Sequence, residues 1–195
     1  MFVVIIYLKI INPYIFAPMK INKWARAAII LFILALNIGC DQVTKSIVRK
    51  DLPDYKTLDY LGGFFSLEKT ENTGAFLSLG DSLGGPVRFI LLVLLPVLAI
   101  LGALVYILYK QNINRYTLLA IILIIGGGAG NLYDRVIHGS VTDFMHIGLG
   151  SGFLQTGVFN VADMSIMAGM FIILIRSFMN RNKEESKNKP AVVEE

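Results

Sequence analysis

The sequence predicts an all-α polytopic membrane protein: four transmembrane helices, with a small extracytoplasmic β-cradle and a candidate catalytic loop between them. Three observations carry that expectation. Hydrophobic residues make up 55% of the 195-residue chain, more apolar surface than a soluble domain of this length can use. They gather in long runs at 27–40, 89–109, 117–133 and 161–179. Lys and Arg collect at the ends of these runs, where they orient a chain in the bilayer, so the net charge of +4 is no nucleic-acid footprint.

Residues 1–18 are apolar, but they contain Lys9 and Pro13 and are too short for a span. They form either an extension lying on the membrane or the product of a start placed at Met1 rather than at Met19, which opens MKINKWARAA. The first span, 27–40, is lengthened at its inner end by Lys23 and Arg26, whose stems can snorkel. A basic start before an apolar run is also the shape of a signal peptide. Cys40 after Ile38 and Gly39 resembles a lipoprotein cleavage box, but Asn37 stands where an aliphatic residue is expected. With three more spans to follow, a retained helix is the better reading.

Residues 41–86 are the first exposed region, turn-rich around Pro53 and Gly62-Gly63. Aromatic and polar residues alternate over 64–79, which suits short strands forming a sheet on the membrane surface. The second span, 89–109, holds Pro96, a candidate kink. A basic turn at 110–115 leads to the third span at 117–133, and the fourth covers 161–179. Basic residues at the N-terminus, the middle turn and the C-terminus mark those parts as cytoplasmic. Four spans then put 41–86 and 131–160 together on the outer face. The domain reading is an extension at 1–18, a four-helix domain at 19–181 including the loop 41–86, and a charged cytoplasmic tail at 182–195.

The stretch from Gly126 to Asp163 organises the chain, because it packs Asn131, Asp134, Arg135, Asp143, Asn160 and Asp163 between two apolar runs. Carboxylates at the lipid edge are costly and point to function. Asp143 in VTDF and Asp163 in FNVAD both have apolar surroundings. Two carboxylates in one low-dielectric site share a proton at neutral pH. One can then take a proton from water while the other polarises an amide carbonyl. This reads as an intramembrane aspartyl protease.

Each motif also has a plain structural reading. Asn131, Asp134 and Arg135 share a helical face if the third helix persists, or form a helix end whose charges solvate each other. Asn160 suits an N-cap and Asp163 a first helical turn. Asp143 fits an ordinary turn, Asn72 a turn before Gly74, and Asp41 with Lys45 a simple i,i+4 ion pair. The glycines before Asn131 permit close helix packing. They form neither a phosphate loop nor a dinucleotide fingerprint.

A single cysteine excludes a disulfide framework and a cysteine metal site. Only His138 and His146 offer imidazoles and no HExxH helix is present, so neither metal nor cofactor is expected. Ser140 and Ser151 lack a partnered histidine pattern.

DQVTK, ENTGAF, GNLYDR, VTDF and FNVAD, in this order between four spans, resemble the bacterial lipoprotein signal peptidases (signal peptidase II) over roughly 19–179. The resemblance implies that Asp143 and Asp163 are catalytic. It implies that Asp41, Lys45, Asn72, Gly74, Asn131, Asp134, Arg135 and Asn160 support the site or contact substrate. It further implies cleavage of diacylglyceryl-modified prolipoproteins just before the lipidated cysteine, a β-cradle on the membrane surface, and inhibition by globomycin-type cyclic peptides. The expected home is the bacterial inner membrane, with the site at its outer face. The expected partners are prolipoproteins and membrane lipid, with no nucleic acid, and a monomer is expected. Ala75 stands alone where many members have two small residues, and 1–18 has no counterpart. A proton- or cation-translocating channel is a rival reading, but it calls for acids at mid-membrane depth. A non-catalytic holder of lipidated peptides is another, and it would survive loss of either aspartate.

Overall fold

The computed structural model describes residues 22–74, 84–148 and 155–187, with side chains described as far as 181. The extension 1–18, Ala75 with the rest of the 64–79 strand region beyond Gly74, Ser151 and the end of the tail lie outside the described residues. Four long helices are found among the described residues: α1 (Lys23–Asp51), α2 (Gly85–Tyr109), α3 (Arg115–Ile137) and α4 (Val161–Lys187, apolar to Arg181). All are long and apolar enough to cross a membrane. Large apolar side chains such as Leu91, Leu95, Leu98, Leu101 and Val105 stand exposed along α2, as lipid-facing residues do. The chain is a multi-pass membrane protein.

α1 starts at Asn22, whose side chain accepts a hydrogen bond from the Ala25 amide at 2.7 Å. It does not stop at Cys40. The segment 41–51 contains no glycine or proline, so nothing breaks the helix until Leu52, forced into an extended conformation by Pro53. DQVTK is therefore the middle of a helix rather than the opening of a loop. At the other end, Arg26 donates to the carbonyls of Ile107 and Lys110, closing the C-terminus of α2. In α2 the disturbance expected at Pro96 falls one turn earlier. Residues Ile90–Leu94 form a π-helical turn in which the Leu95 amide reaches back to the Ile90 carbonyl. Pro96 has no amide to offer the turn before it, and its ring crowds that turn's carbonyl, so the widened turn absorbs the mismatch.

A three-stranded antiparallel sheet lies across the helix ends, in the order β1 (Leu58–Tyr60), β2 (Phe65–Asn72), β3 (Val141–Ile147). The β1–β2 turn uses left-handed backbone at Leu61, Gly62 and Gly63. Sequence alternation indicates β2, but the strand beside it is β3, which follows α3 after a left-handed Gly139. Asp143 is therefore a strand residue and not a turn residue. Beyond β3 the chain doubles back, bridging Gln155 to Gly148 and Phe159 to Met145, which delivers Asn160 beside Asp143. Phe144 packs with Val48 and Leu52 of α1, fastening the sheet to the helices.

α3 and α4 approach closely because α3 carries glycines at the crossing. A Cβ on Gly127 would lie 2.3 Å from the Ala162 carbonyl oxygen, and one on Gly130 2.5 Å from Asp41 Oδ2. On α4, a Cβ on Gly169 would lie 2.6 Å from the Ala120 carbonyl. These clashes involve backbone or a fixed carboxylate and cannot be relieved by a rotamer. We expect Gly127→Ala to destabilise the protein by about 1–3 kcal/mol, the usual cost of overpacking. Gly128→Ala, facing only the Ile100 side chain at 3.2 Å, should cost less, and thermal unfolding in detergent would compare the two.

Candidate active site

The polar residues predicted from sequence all come to the end of the bundle that carries the sheet. Their lower layer is a buried ion network. Lys45 is fully buried; its ammonium donates to Asn131 Oδ1 at 2.9 Å and forms ion pairs with Asp41 Oδ2 and Asp134 Oδ2, each at 2.8 Å. Asp41 and Asp134 are likewise fully buried. The other oxygen of Asp41 accepts the Ala162 amide at 2.9 Å, so a carboxylate on α1 holds the positive end of α4. Asp134 also receives Arg49 at 2.7 Å. With two carboxylates and two cations, this layer is neutral.

Asp143 and Asp163 lie above it, joined by amides. Asn160 donates to Asp143 Oδ1 at 2.6 Å, and Asn72 donates to Asp143 Oδ2 at 3.0 Å. Asn72 reaches it diagonally across the β2–β3 ladder, where Asp143 is paired with Thr70. Asp163 Oδ1 accepts from Asn131 at 2.8 Å, and Asp163 Oδ2 from the Asn160 backbone amide at 3.0 Å. The Asn160 side chain accepts the Asp163 amide in return, a reciprocal cap on α4. Asn160 thus performs its capping role and also holds both carboxylates. Asn131 accepts from Lys45 and from Asn160 through one oxygen, linking the two layers.

Asp143 is only 4% exposed, and its carboxyl is pushed up to about 6. Burial is the main cause, since it penalises the charged form. The Asn72 hydrogen bond opposes this, and the nearby charge of Asp163 adds to it.

Gly74 and Arg135 flank the pair. Arg135 donates to the Gly74 carbonyl at 2.8 Å, and the Gly74 amide donates to Asn72 at 3.0 Å. Arg88 reaches the Thr73 carbonyl beside it. Asp134 and Arg135 thus serve different partners, as neighbours on a helix do when they point about 100° apart. Five participants escaped the sequence reading: Gln42, Arg49, Glu71, Arg88 and Thr142. Arg49 donates to Thr142 Oγ1 at 2.8 Å, and Thr142 donates to Glu71 at 2.8 Å. Gln42 bridges Asp41 and Asp134. Arg49 had a usable signal, since it continues the Asp41–Lys45 spacing by another four residues.

The fold and site define a small polytopic membrane protein with two carboxylates held close by amides at one end of its helices. The family model of signal peptidase (SPase) II matches residues 29–179. The chain belongs to that family. It is 35% identical over 148 residues to the lipoprotein signal peptidase of Chlorobium phaeobacteroides, covering 72% of this chain and 90% of the relative. It is 31% identical over 150 residues to that of Streptococcus pneumoniae, covering 77% and 92%. With that of Xylella fastidiosa the figures are 34% over 165 residues, covering 84% and 93%. Among solved structures, a bacterial membrane enzyme determined in meso at 1.9 Å superposes with a TM-score of 0.65 at 25% identity, over 76% of this chain and 92% of the other. A second, at 2.3 Å, gives 0.68 at 23% identity, over 86% and 95%, and supports the fold.

Two outcomes follow from the geometry. Lys45→Met strands Asp41 without its cation in a buried site and should cost about 3–5 kcal/mol of stability. Adding Asp41→Asn should recover part of that loss, as read by denaturation in detergent. An infrared titration should show a protonated carboxyl that ionises near 6 and disappears in Asp143→Asn.

Proposed function

We propose that the protein is an aspartyl endopeptidase that removes signal peptides from diacylglyceryl-modified prolipoproteins, cleaving before the lipidated cysteine. The observation that carries the mechanism is the convergence of Asp143 and Asp163 on Asn160, with Asp143 buried and its carboxyl raised to about 6. Membership of the signal peptidase II family and relatives named lipoprotein signal peptidase support the substrate class.

The signal helix enters sideways from the lipid and packs along the spans, and the acyl chains stay in the bilayer. A water held by the two carboxylates loses a proton to one of them as its oxygen attacks the carbonyl before the cysteine. The other carboxyl, protonated, gives its proton to the carbonyl oxygen. Collapse of the tetrahedral intermediate returns a proton to the departing amine and regenerates the pair. The pair titrates as a unit, so base and acid are roles of the dyad. Asn131 and Asn160 orient the carboxylates. Arg135 and Gly74 hold the strand-to-loop turn at which Asn72 meets the substrate backbone.

The basic end of the bundle, with Lys23, Arg26, Lys110, Arg115 and Arg176, lies opposite the site. This supports cytoplasmic termini and a site at the outer face of the bacterial inner membrane.

Purified protein should cleave a diacylglyceryl-modified prolipoprotein before its cysteine, unaffected by EDTA and inhibited by globomycin. Asp143→Asn and Asp163→Asn should each abolish cleavage while the protein stays folded. Cleavage that persists in both would place the chemistry elsewhere. Activity should fall at low pH as both carboxyls protonate, and again at higher pH as the shared proton is lost. Because the Asn72 hydrogen bond lowers the Asp143 pKa, Asn72→Ala should move the alkaline limb of the kcat profile upward.

A further inference from the structure

A second polar site lies beyond the carboxylate pair. Between the last turns of α1 and α3 is a cleft of about 480 Å³ lined by Gln42, Ser46, Arg49, Lys50, Tyr133 and His138. No carboxylate lines it. The acids around it are Asp134, engaged by Lys45 and Arg49, Glu71, engaged by Thr142 and Ser140, and Asp51, which follows Lys50 at the end of α1.

The cations here are not fully used. Arg49 commits Nε to Thr142 and Nη2 to Asp134, and its Nη1 makes no hydrogen bond among the described residues. Lys50 is exposed and makes no hydrogen bond or ion pair among the described residues. Lys50 is paired with no carboxylate among the described residues, which leaves its ammonium available to an anion in the cleft. Ser46 and Tyr133 bring hydroxyls, and the Tyr133 and His138 rings meet edge to face at 6.4 Å.

The surroundings identify the kind of anion. Ile47 and Val43 lie one and two turns below Lys50 on the exposed face of α1, and Val136 and Ile137 are exposed on α3. Cations and hydroxyl donors therefore stand at the end of an apolar, lipid-facing surface. A soluble anion has no use for that surface, whereas a glycerophospholipid fills both halves at once. Tyr133 sits at the level where aromatic residues mark the membrane interface.

We propose that this cleft binds an anionic glycerophospholipid, with the phosphate on Arg49 and Lys50 and the acyl chains along Val43 and Ile47. The cleft takes no part in the proposed peptide cleavage; it shares Arg49 and Gln42 with the ion layer beneath the carboxylate pair.

Native mass spectrometry of the full chain released from detergent would test this, using phosphatidylglycerol and phosphatidylcholine at equal concentration. Phosphatidylglycerol adducts should dominate, and Lys50→Gln should weaken that preference about fivefold, the loss expected for one interfacial cation. Lys50→Arg should retain it, as should Lys110→Gln at the far end of the bundle. Equal retention of the two lipids, or a preference unchanged in Lys50→Gln, would overturn the proposal. Displacement of phosphatidylglycerol by millimolar inorganic phosphate would also overturn it, in favour of a free-phosphate site.

Discussion

The structure depends on burying one ammonium group. Lys45 is held on α1 and α3 by ion pairs with Asp41 and Asp134 and a hydrogen bond to Asn131. Asp41 in turn accepts the Ala162 amide in the first turn of α4. Three helices are thus fixed to one another at a single point, in a setting where the hydrophobic effect gives helices little reason to associate. The glycines of α3 follow from this. Gly130 has no room for a side chain because Asp41 must pass there to reach α4. Replacing the whole network with apolar residues need not cost stability; its contribution is to set the rotation of each helix.

That rotation places the upper layer. With α3 oriented by Asp134, Asn131 turns toward α4 and meets Asp163. With α4 held by Asp41, its N-cap Asn160 lies against β3 and meets Asp143. The sheet completes the arrangement. β3 runs between β2 and the returning segment at 155–159, so Asp143 is enclosed by backbone on both sides. Its low exposure comes from that enclosure within the protein, and the rise in its pKa follows.

The spans were legible in the sequence because apolar runs of this length have few other uses. So was the set of polar residues. What could not be read was how they are shared out. Cys40 looked like the end of a span because hydropathy falls there, yet the helix continues to Asp51, since only Pro53 breaks it. This hid Arg49, whose place beside Asp134 requires one more helical turn. β3 was invisible for a different reason. Val141–Ile147 is too short and mixed to stand out, and its partner lies about 70 positions earlier in the chain. A local pattern does not announce a pairing of that range. Hence Asp143, read alone, fits a turn. Asn160, read from sequence both as a cap and as a candidate site residue, caps α4 and also holds Asp143 through the same side chain.

The division of partners bears on the proposed chemistry. Among the described residues, every hydrogen-bond donor to Asp143 and Asp163 is an amide. The cations are committed elsewhere: Lys45 and Arg49 to Asp41 and Asp134, and Arg135 to the Gly74 carbonyl. A cation in contact would lock a carboxylate in its charged form and remove it from proton exchange. Amides fix the position of a carboxylate with much less bias on its protonation. Asn131 makes the separation concrete, since its oxygen takes the Lys45 proton while its nitrogen donates to Asp163. The ammonium thus orients the pair through an intermediary and never touches it. Asp41 and Asp134 are more deeply buried than either member of the pair, but both are held by cations. Burial alone therefore does not single out the two carboxylates proposed to do the chemistry; their neutral partners do.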